Sequence, residues 1–440
     1  MYKPFRALFI LLPFLIGSHA QAQQLTNSPY SRYGIGDIQY GTGNIRSSGM
    51  GQVGVANANA ALVNSVNPAL LYYNNSVTFE MSLASEFKRL KSGSLTQNDA
   101  SANFNQLTLA IPVSRRWTTA LGLRPYSSVN YDVFEAGSIE GGDPTAISYT
   151  QYKGSGGINE VFFAHGVRLF KGLSIGASGS YLFGTVDRES STVVIDTAND
   201  VLGDQKAVIL NSSRYSGVML QGGIHYRKDL SKNLNVGVGA TYTAESAINT
   251  DRRVSSQRRQ LDDYVFEENI IDSADGFTTV PRIMQFGIAF DNNKSWSIGA
   301  DYSSYKNSTY RGFSYNKNAG SQDMNDGYRV GLGGEITPDA NSVGSYFKRV
   351  TYRIGGYYGK SELNASAGVH ELRDMGLTWG LSLPVSRGVR PPDYTQTYIN
   401  TSFAIGKRDA LVGSNISELY FRFNLGFTFN NRWFIKRKFD

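Results

Sequence analysis

The sequence contains no cysteine in 440 residues. This excludes disulfide bonds, thiolate metal sites, a cysteine nucleophile and a lipid-modified N-terminal cysteine. Histidine occurs only four times, and no apolar run after residue 22 is long enough for a transmembrane helix. A chain of this length without cross-links needs another source of stability. A closed β-sheet supplies it, because every backbone donor then has a partner.

The N-terminus is typical of an exported protein. Lys3 and Arg6 precede an apolar run over residues 7–17, and residues 20–22 form a small-x-small cleavage site. We therefore predict a cleaved signal peptide over residues 1–22. The alternative, a membrane anchor, would need a longer apolar run.

The composition favours a membrane β-barrel. The sequence has 47 Gly, 27 Tyr and 24 Phe, and its mean hydropathy is only −0.29. Barrels combine an apolar exterior and interfacial aromatic residues with a polar lumen, which lowers the average hydropathy. The formal charge of +7 is spread along the sequence rather than clustered. It gives no indication of a nucleic-acid partner.

Period-two alternation is the main structural signal. Residues 419–429 place a large apolar side chain at every odd position and mostly polar residues between them. Similar segments recur from residue 77 onward, separated by turn residues. We predict an all-β fold, a transmembrane antiparallel β-barrel of about 14 strands over residues 76–430, with the apolar face toward lipid.

The two ends of the mature chain differ from the barrel. Residues 23–75 are rich in Gly and small residues and end in Asn67-Pro68-Ala69, which predicts a compact, turn-rich segment. Residues 431–440 form a basic tail on the periplasmic side, because an even number of strands leaves both termini there. The tail either contacts a partner or is a solvated stub.

Three long links are predicted as outer loops, over residues 134–156, 189–212 and 252–279. The second and third are unusually apolar, which tends to mark a binding surface. The alternative is that these two loops pack on each other as a lid. The candidate ligand-binding side chains are Val193, Ile195, Leu202, Leu261, Phe266, Ile270 and Ile271.

Pro125 lies inside the predicted third strand, next to Tyr126. Proline cannot donate a ladder hydrogen bond, so the strand should break, bulge or kink there. A kink would open a lateral gap in the barrel wall. The alternative is an ordinary bulge near the rim.

The sequence gives no evidence for an enzyme. His165, His225 and His370 lie far apart and belong to no catalytic motif. The acidic residues between 262 and 275 lack the ligand spacing of a calcium loop and are predicted to face the basic residues 252–259. We predict no metal site and no cofactor.

These features together resemble the FadL/TodX family of outer-membrane transporters. The Asn-Pro-Ala motif at residues 67–69 before the first strand, and the strand containing Val280-Pro281-Arg282, carry the resemblance. It implies that residues 67–69 belong to a hatch inside the barrel. It also implies an apolar landing groove on the loops after strands five and seven, and a third-strand kink for lateral exit. Residues 27–34 and 432–438 are similar to FadL-like barrels of Bacteroidota, some of which are accessory subunits of secretion or assembly machines.

The leading hypothesis is an outer-membrane channel for passive uptake of hydrophobic small molecules, such as long-chain fatty acids or aromatic hydrocarbons, with lateral exit into lipid. The alternative is a structural or accessory subunit of an outer-membrane secretion or protein-assembly complex, which implies a protein partner. A third class, an outer-membrane hydrolase, requires a Ser, a His and a carboxylate that meet in space.

Overall fold

The computed structural model describes residues 28–39, 44–139, 146–195, 204–317, 319–320, 324–365, 368–385, 396–412 and 416–431. The predicted signal peptide, Leu202 and residues 432–440 of the predicted tail lie outside these ranges.

The described residues form fourteen wall strands, some of them continuing after a short interruption. The strands are β1 (Val77–Ser92), β2 (Leu95–Ser114), β3 (Trp117–Ser128, continued by Tyr131–Ser138), β4 (Ile147–Phe170), β5 (Leu173–Ile195), β6 (Gln205–Ser231), β7 (Leu234–Thr243 and Ser246–Gln260), β8 (Val265–Val280 and Arg282–Asp291), β9 (Trp296–Lys306 and Arg311–Ser314), β10 (Met324–Ile336), β11 (Thr351–Ala365), β12 (Gly368–Pro384), β13 (Gln396–Val412) and β14 (Ile416–Asn431).

The N-terminal segment, residues 28–76, contains little regular structure. It includes the 3₁₀ turns Pro29–Arg32 and Pro68–Tyr73, the two-residue strand Asp37–Ile38 and the helix α1 (Ile45–Ser48). Two further 3₁₀ turns occur: Asn307–Thr309 interrupts β9, and Phe347–Arg349 lies in the link between β10 and β11. No helix of the described residues is long and apolar enough to cross a membrane.

The wall is antiparallel and closed. Each strand pairs with its neighbours in sequence, and β14 returns to pair with β1 from Asn431 opposite Val77 to Ile416 opposite Ser92. Closure gives every strand two neighbours, so the chain satisfies its backbone without cross-links. The predicted fold class and strand number are confirmed.

Burial follows the predicted pattern, in which apolar side chains lie on the outside of the barrel and polar side chains on the inside. On β14, Leu419 and Phe429 are 45% and 46% exposed, whereas Asn424 and Thr428 are 4% and 1% exposed. Apolar side chains therefore point outward to lipid, and polar side chains point into the lumen.

The prediction of three long outer loops is wrong. Residues 189–195 and 205–212 belong to β5 and β6, residues 252–260 and 265–279 to β7 and β8, and most of residues 134–156 to β3 and β4. In these extensions apolar and polar residues do not alternate regularly, and residues 265–271 of β8 are exposed on both faces. An apolar/polar alternation is not required there, so the period-two criterion does not detect the strands.

The barrel has two different rims. The short-turn rim contains the links after even-numbered strands, residues 113–118, 168–173, 227–234, 291–296 and 337–350. The long-hairpin rim contains the extended hairpins after odd-numbered strands. Outer-membrane barrels place short turns on the periplasmic side and long connections outside.

Candidate functional site

The N-terminal segment contacts strands around most of the wall through glycines. A Cβ added to Gly333 on β10 would lie 2.1 Å from the carbonyl oxygen of Met50, and one on Gly239 of β7 would lie 2.3 Å from that of Val55. Gly176 on β5 makes an equally close contact with Pro68. Glycine lets the backbone of the segment approach the wall where a side chain would collide.

Wall carboxylates hold the segment by its backbone and by Arg46. Asp301 on β9 accepts hydrogen bonds from the amides of Gly54 (2.6 Å) and Val55 (2.8 Å). Arg46 forms a salt bridge of 2.6 Å with Glu335, and its side chain is only 4% exposed. Arg353 on β11 donates to the same carboxylate at 3.0 Å. One carboxylate therefore joins α1 to two wall strands.

The predicted hatch residues lie in the buried part of the segment. The side chain of Asn67 accepts from the amide of Ala69 (3.0 Å) and donates to the carbonyls of Val55 (2.8 Å) and Ile224 (3.2 Å). Asn67 and Ala69 are fully buried. The Asn-Pro-Ala motif therefore starts the turn Pro68–Tyr73 and ties it to β6.

The ladder between β2 and β3 stops two residues before Pro125. Pairing runs from Ser114 opposite Trp117 to Leu107 opposite Leu123 and does not continue among the described residues. Beyond that point β3 bulges between Pro125 and Ser127 in its pairing with β4. We call this interruption the β2–β3 gap.

The N-terminal segment takes the place of β2 in the gap. Asp37 and Ile38 pair with Ser128 and Ser127, and the amide of Gln39 donates to the carbonyl of Tyr126 at 2.9 Å. Among the described residues, this short strand pairs with the edge of β3 there, and the amide of Ser28 donates to the carbonyl of Asn130 at 2.8 Å.

A cavity of about 240 Å³ adjoins the gap. Asn105 on β2 and Pro125 on β3 both line it, so it reaches the wall at the gap. Its remaining lining combines cations with apolar and aromatic side chains from the segment, β1, β2 and β9–β14. Representative members are Lys88, Arg408, Arg422, Tyr30, Ile38, Phe104 and Leu372.

The charged groups of the cavity are paired with one another. Arg422 binds Glu86 at 2.5 Å, and Arg408 binds Asp37 of the segment at 3.1 Å. Lys88 lies 3.3 Å from Glu418. The lumen next to the β2–β3 gap therefore contains cations that are held in ion pairs, and its lining is not purely apolar.

Tyr126 points inward into an apolar cluster. It packs with Tyr30 and Ile35 of the segment and with Ile158 and Leu182 of the wall, all below 10% exposure. The cluster places apolar surface beside the polar cavity, which Tyr30 also lines.

The structure does not gather the predicted apolar loop residues into one groove. Val193 and Ile195 are half-buried on β5. Phe266, Ile270 and Ile271 are exposed on β8, and Leu261 is exposed in the turn before it. Two strands, β6 and β7, separate the groups, a distance of about 14 Å at the usual spacing. None of the six lines the cavity.

The acidic residues near the tip of the β7–β8 hairpin face the neighbouring cations, as one reading of the sequence suggested. Asp272 binds Arg252 at 2.6 Å. In the turn, a hydrogen bond from Lys206 lowers the pKa of the Asp263 carboxyl. No group of three or more metal-ligating side chains occurs among the described residues.

The described histidines do not form a hydrolase triad. His165 Nδ1 accepts a hydrogen bond from the indole N–H of Trp117 at 3.2 Å, and His225 contacts the carbonyl of Ala56 and the hydroxyl of Tyr73. Neither has a hydrogen bond to a serine or a carboxylate in the part of the chain that the structure describes. The side chain of His370 lies outside that part.

The sequence did not predict the contacts that hold the N-terminal segment against the barrel wall. Nothing in the sequence pattern distinguishes Gly333 and Gly355 from other strand glycines, or Asp301 from other polar strand residues. One signal was present: a carboxylate on the lumen face of a strand requires a buried cation or backbone donors.

Comparison with known proteins identifies the fold and a family. The chain is similar to the Ralstonia pickettii toluene transporter TbuX, with 14% identity, a TM-score of 0.56 and coverage of 88% of this chain and 98% of that one. It is also similar to the Pseudomonas putida toluene transporter TodX (15%, 0.54, 91% and 100%) and to a Pseudomonas aeruginosa FadL homologue (10%, 0.55, 88% and 98%). No curated protein sequence is significantly similar to this chain. The family model described as BamG matches residues 1–440.

Proposed function

The chain belongs to the BamG family, and we propose that its barrel is an outer-membrane channel for passive uptake of a hydrophobic small molecule with lateral exit through the wall. The observation that carries this proposal is the β2–β3 gap, which adjoins an internal cavity. A molecule leaving the cavity there would enter the lipid directly.

The moving part would be small. Most of the N-terminal segment is held by buried contacts such as those of Arg46 and Asn67. At the gap, the ladder consists of Asp37 and Ile38 with one further backbone bond from Gln39. In this proposal, residues 44–76 act as a fixed plug, and displacement of residues 36–39 opens the exit.

The lining favours an amphiphile among the hydrophobic candidates. A bare aromatic hydrocarbon has no group that could bind this polar and charged lining, whereas the carboxylate of a long-chain fatty acid would accept hydrogen bonds from Lys88, Arg408 or Arg422 in exchange for their present carboxylate partners. The apolar cluster around Tyr126 lies beside the cavity and would accept the chain. We therefore propose long-chain fatty acids ahead of aromatic hydrocarbons.

A disulfide across the gap tests the lateral exit. Ile38→Cys with Ser127→Cys joins two registered residues, and neighbours in an antiparallel pair lie within disulfide range. The chain has no other cysteine, so the bond is unambiguous. Oxidised protein should lose fatty-acid uptake in cells lacking the native gene product, and a reductant should restore it.

The matched control is Ser191→Cys with Val208→Cys, a registered pair of β5 and β6 away from the gap. This variant should take up fatty acid in both redox states. Full uptake by the oxidised Ile38–Ser127 variant would overturn the lateral exit.

A second candidate is a structural subunit of an outer-membrane secretion or protein-assembly complex. The match to the BamG family over the whole chain supports it. The buried ion pairs that hold the segment in the lumen also suit a barrel whose interior stays closed.

Purification in mild detergent separates the two candidates. A stoichiometric large protein partner that survives washing would favour the subunit. A monomeric barrel that carries co-purified fatty acid would favour the channel.

A further inference from the structure

The short-turn rim carries a positive excess. Its five described links contain ten Lys and Arg against three Asp, an excess of seven. These basic residues are dispersed along the sequence, and the fold brings them to one end of the barrel.

These cations are mostly free of carboxylates. Within the described residues, Arg227 is the member of the rim that forms a salt bridge, with Asp291. The exposed tip residues Arg115, Arg116, Lys171 and Lys232 have none. Unpaired charge of one sign raises the local electrostatic potential and attracts counter-charge.

The long-hairpin rim differs. Arg252, Arg253 and Arg258 of β7 face Asp272, Glu268 and Glu267 of β8 in salt bridges. The charge of these cations is balanced locally. The asymmetry between the rims thus lies in the pairing of their cations.

Exposed apolar and aromatic side chains accompany the unpaired cations. Trp117, Phe170, Trp296 and Phe347 are exposed, and each belongs to or adjoins a different link of the short-turn rim. Tyr and Trp belts with adjacent Lys and Arg are typical of the boundary between acyl chains and lipid head groups.

The distribution of the cations decides which partner fits. Every described link of the rim carries at least one Lys or Arg, so the charge is distributed over all the described sectors of this rim. A docked protein would contact one sector, whereas lipid surrounds the whole circumference. From this geometry we propose that the short-turn rim binds the phosphate head groups of anionic phospholipids in the adjoining leaflet and thereby selects an anionic lipid annulus.

The test uses the full chain in nanodiscs of phosphatidylcholine with and without phosphatidylglycerol. Native mass spectrometry of the released barrel should show retained phosphatidylglycerol in excess over its share of the disc. Each cation near an anionic lipid surface adds a favourable contribution to the binding free energy. The excess of retained phosphatidylglycerol should therefore fall by about tenfold or more in the combined variant Arg115→Gln, Arg116→Gln, Lys171→Gln and Lys232→Gln. High salt should weaken the preference of the unmodified chain.

The control variant changes four exposed cations of the opposite rim, Arg89, Lys91, Arg253 and Arg258, to Gln. It should retain phosphatidylglycerol like the unmodified chain. Equal retention by the short-turn variant, or a preference insensitive to salt, would overturn the proposal. So would an acidic protein that binds the rim and displaces phosphatidylglycerol.

Discussion

At the scale of single residues, Glu335 carries the most concentrated interaction between the segment and the wall. It accepts from Arg46 and from Arg353, and all three side chains are nearly buried. Glu335→Gln would leave two guanidinium groups in one buried site without a counter-charge. We expect a loss of about 3–5 kcal/mol of stability, as for other broken buried pairs.

Thermal unfolding followed by heat-modifiable gel mobility measures this loss. The control is Glu267→Gln, the same substitution in an exposed pair with Arg258 at 3.6 Å. It should cost less than about 1 kcal/mol. If the two variants unfold together, the buried pair does not hold the segment in place.

At the scale of elements, the sequence predicted the parts of the wall that face lipid. The alternation at residues 419–429 exists because one face of β14 meets lipid and the other the lumen. Residues 265–271 of β8 are exposed on both faces, so nothing imposes alternation and the strand was taken for a loop. Pro125 predicted an interruption of the third strand. The two-residue strand Asp37–Ile38, which pairs with β3 at that interruption, could not be predicted from its own sequence.

The β7–β8 hairpin tip provides a prediction at this scale. Residues 256–269 would be replaced by an Asn-Gly turn, which removes Leu261 and Phe266. The barrel should still fold, because the tip is largely exposed, although β6 loses its pairing with residues 256–260. If the tip collects ligand, as the sequence predicts, fatty-acid uptake should fall several-fold.

Uptake assays with matched surface expression measure this effect, and Phe134→Ser on β3 is a control because it removes one exposed apolar residue from a different extension. Unchanged uptake by the truncated variant would remove the tip residues from the candidate site.

At the scale of the whole molecule, the lumen and the N-terminal segment depend on each other. Side chains alone fill a barrel of about 8 strands, whereas barrels of about 16 leave an aqueous channel. A fourteen-stranded wall is close to the second case. Its inward faces are polar, as at Asn424 and Thr428, and would hold water if the segment were absent.

Deletion of residues 23–76, with residues 1–22 retained, should therefore turn a closed barrel into an ion-conducting pore. In planar bilayers the full chain should pass little steady current, and the deletion variant should conduct. The hairpin-tip truncation serves as the control and should remain as closed as the full chain, because it leaves the lumen contacts of Arg46 and Asn67 intact. A deletion variant that inserts, migrates as a folded barrel and does not conduct would show that wall side chains close the lumen. The N-terminal segment would then act by covering the β2–β3 gap and not by closing the pore.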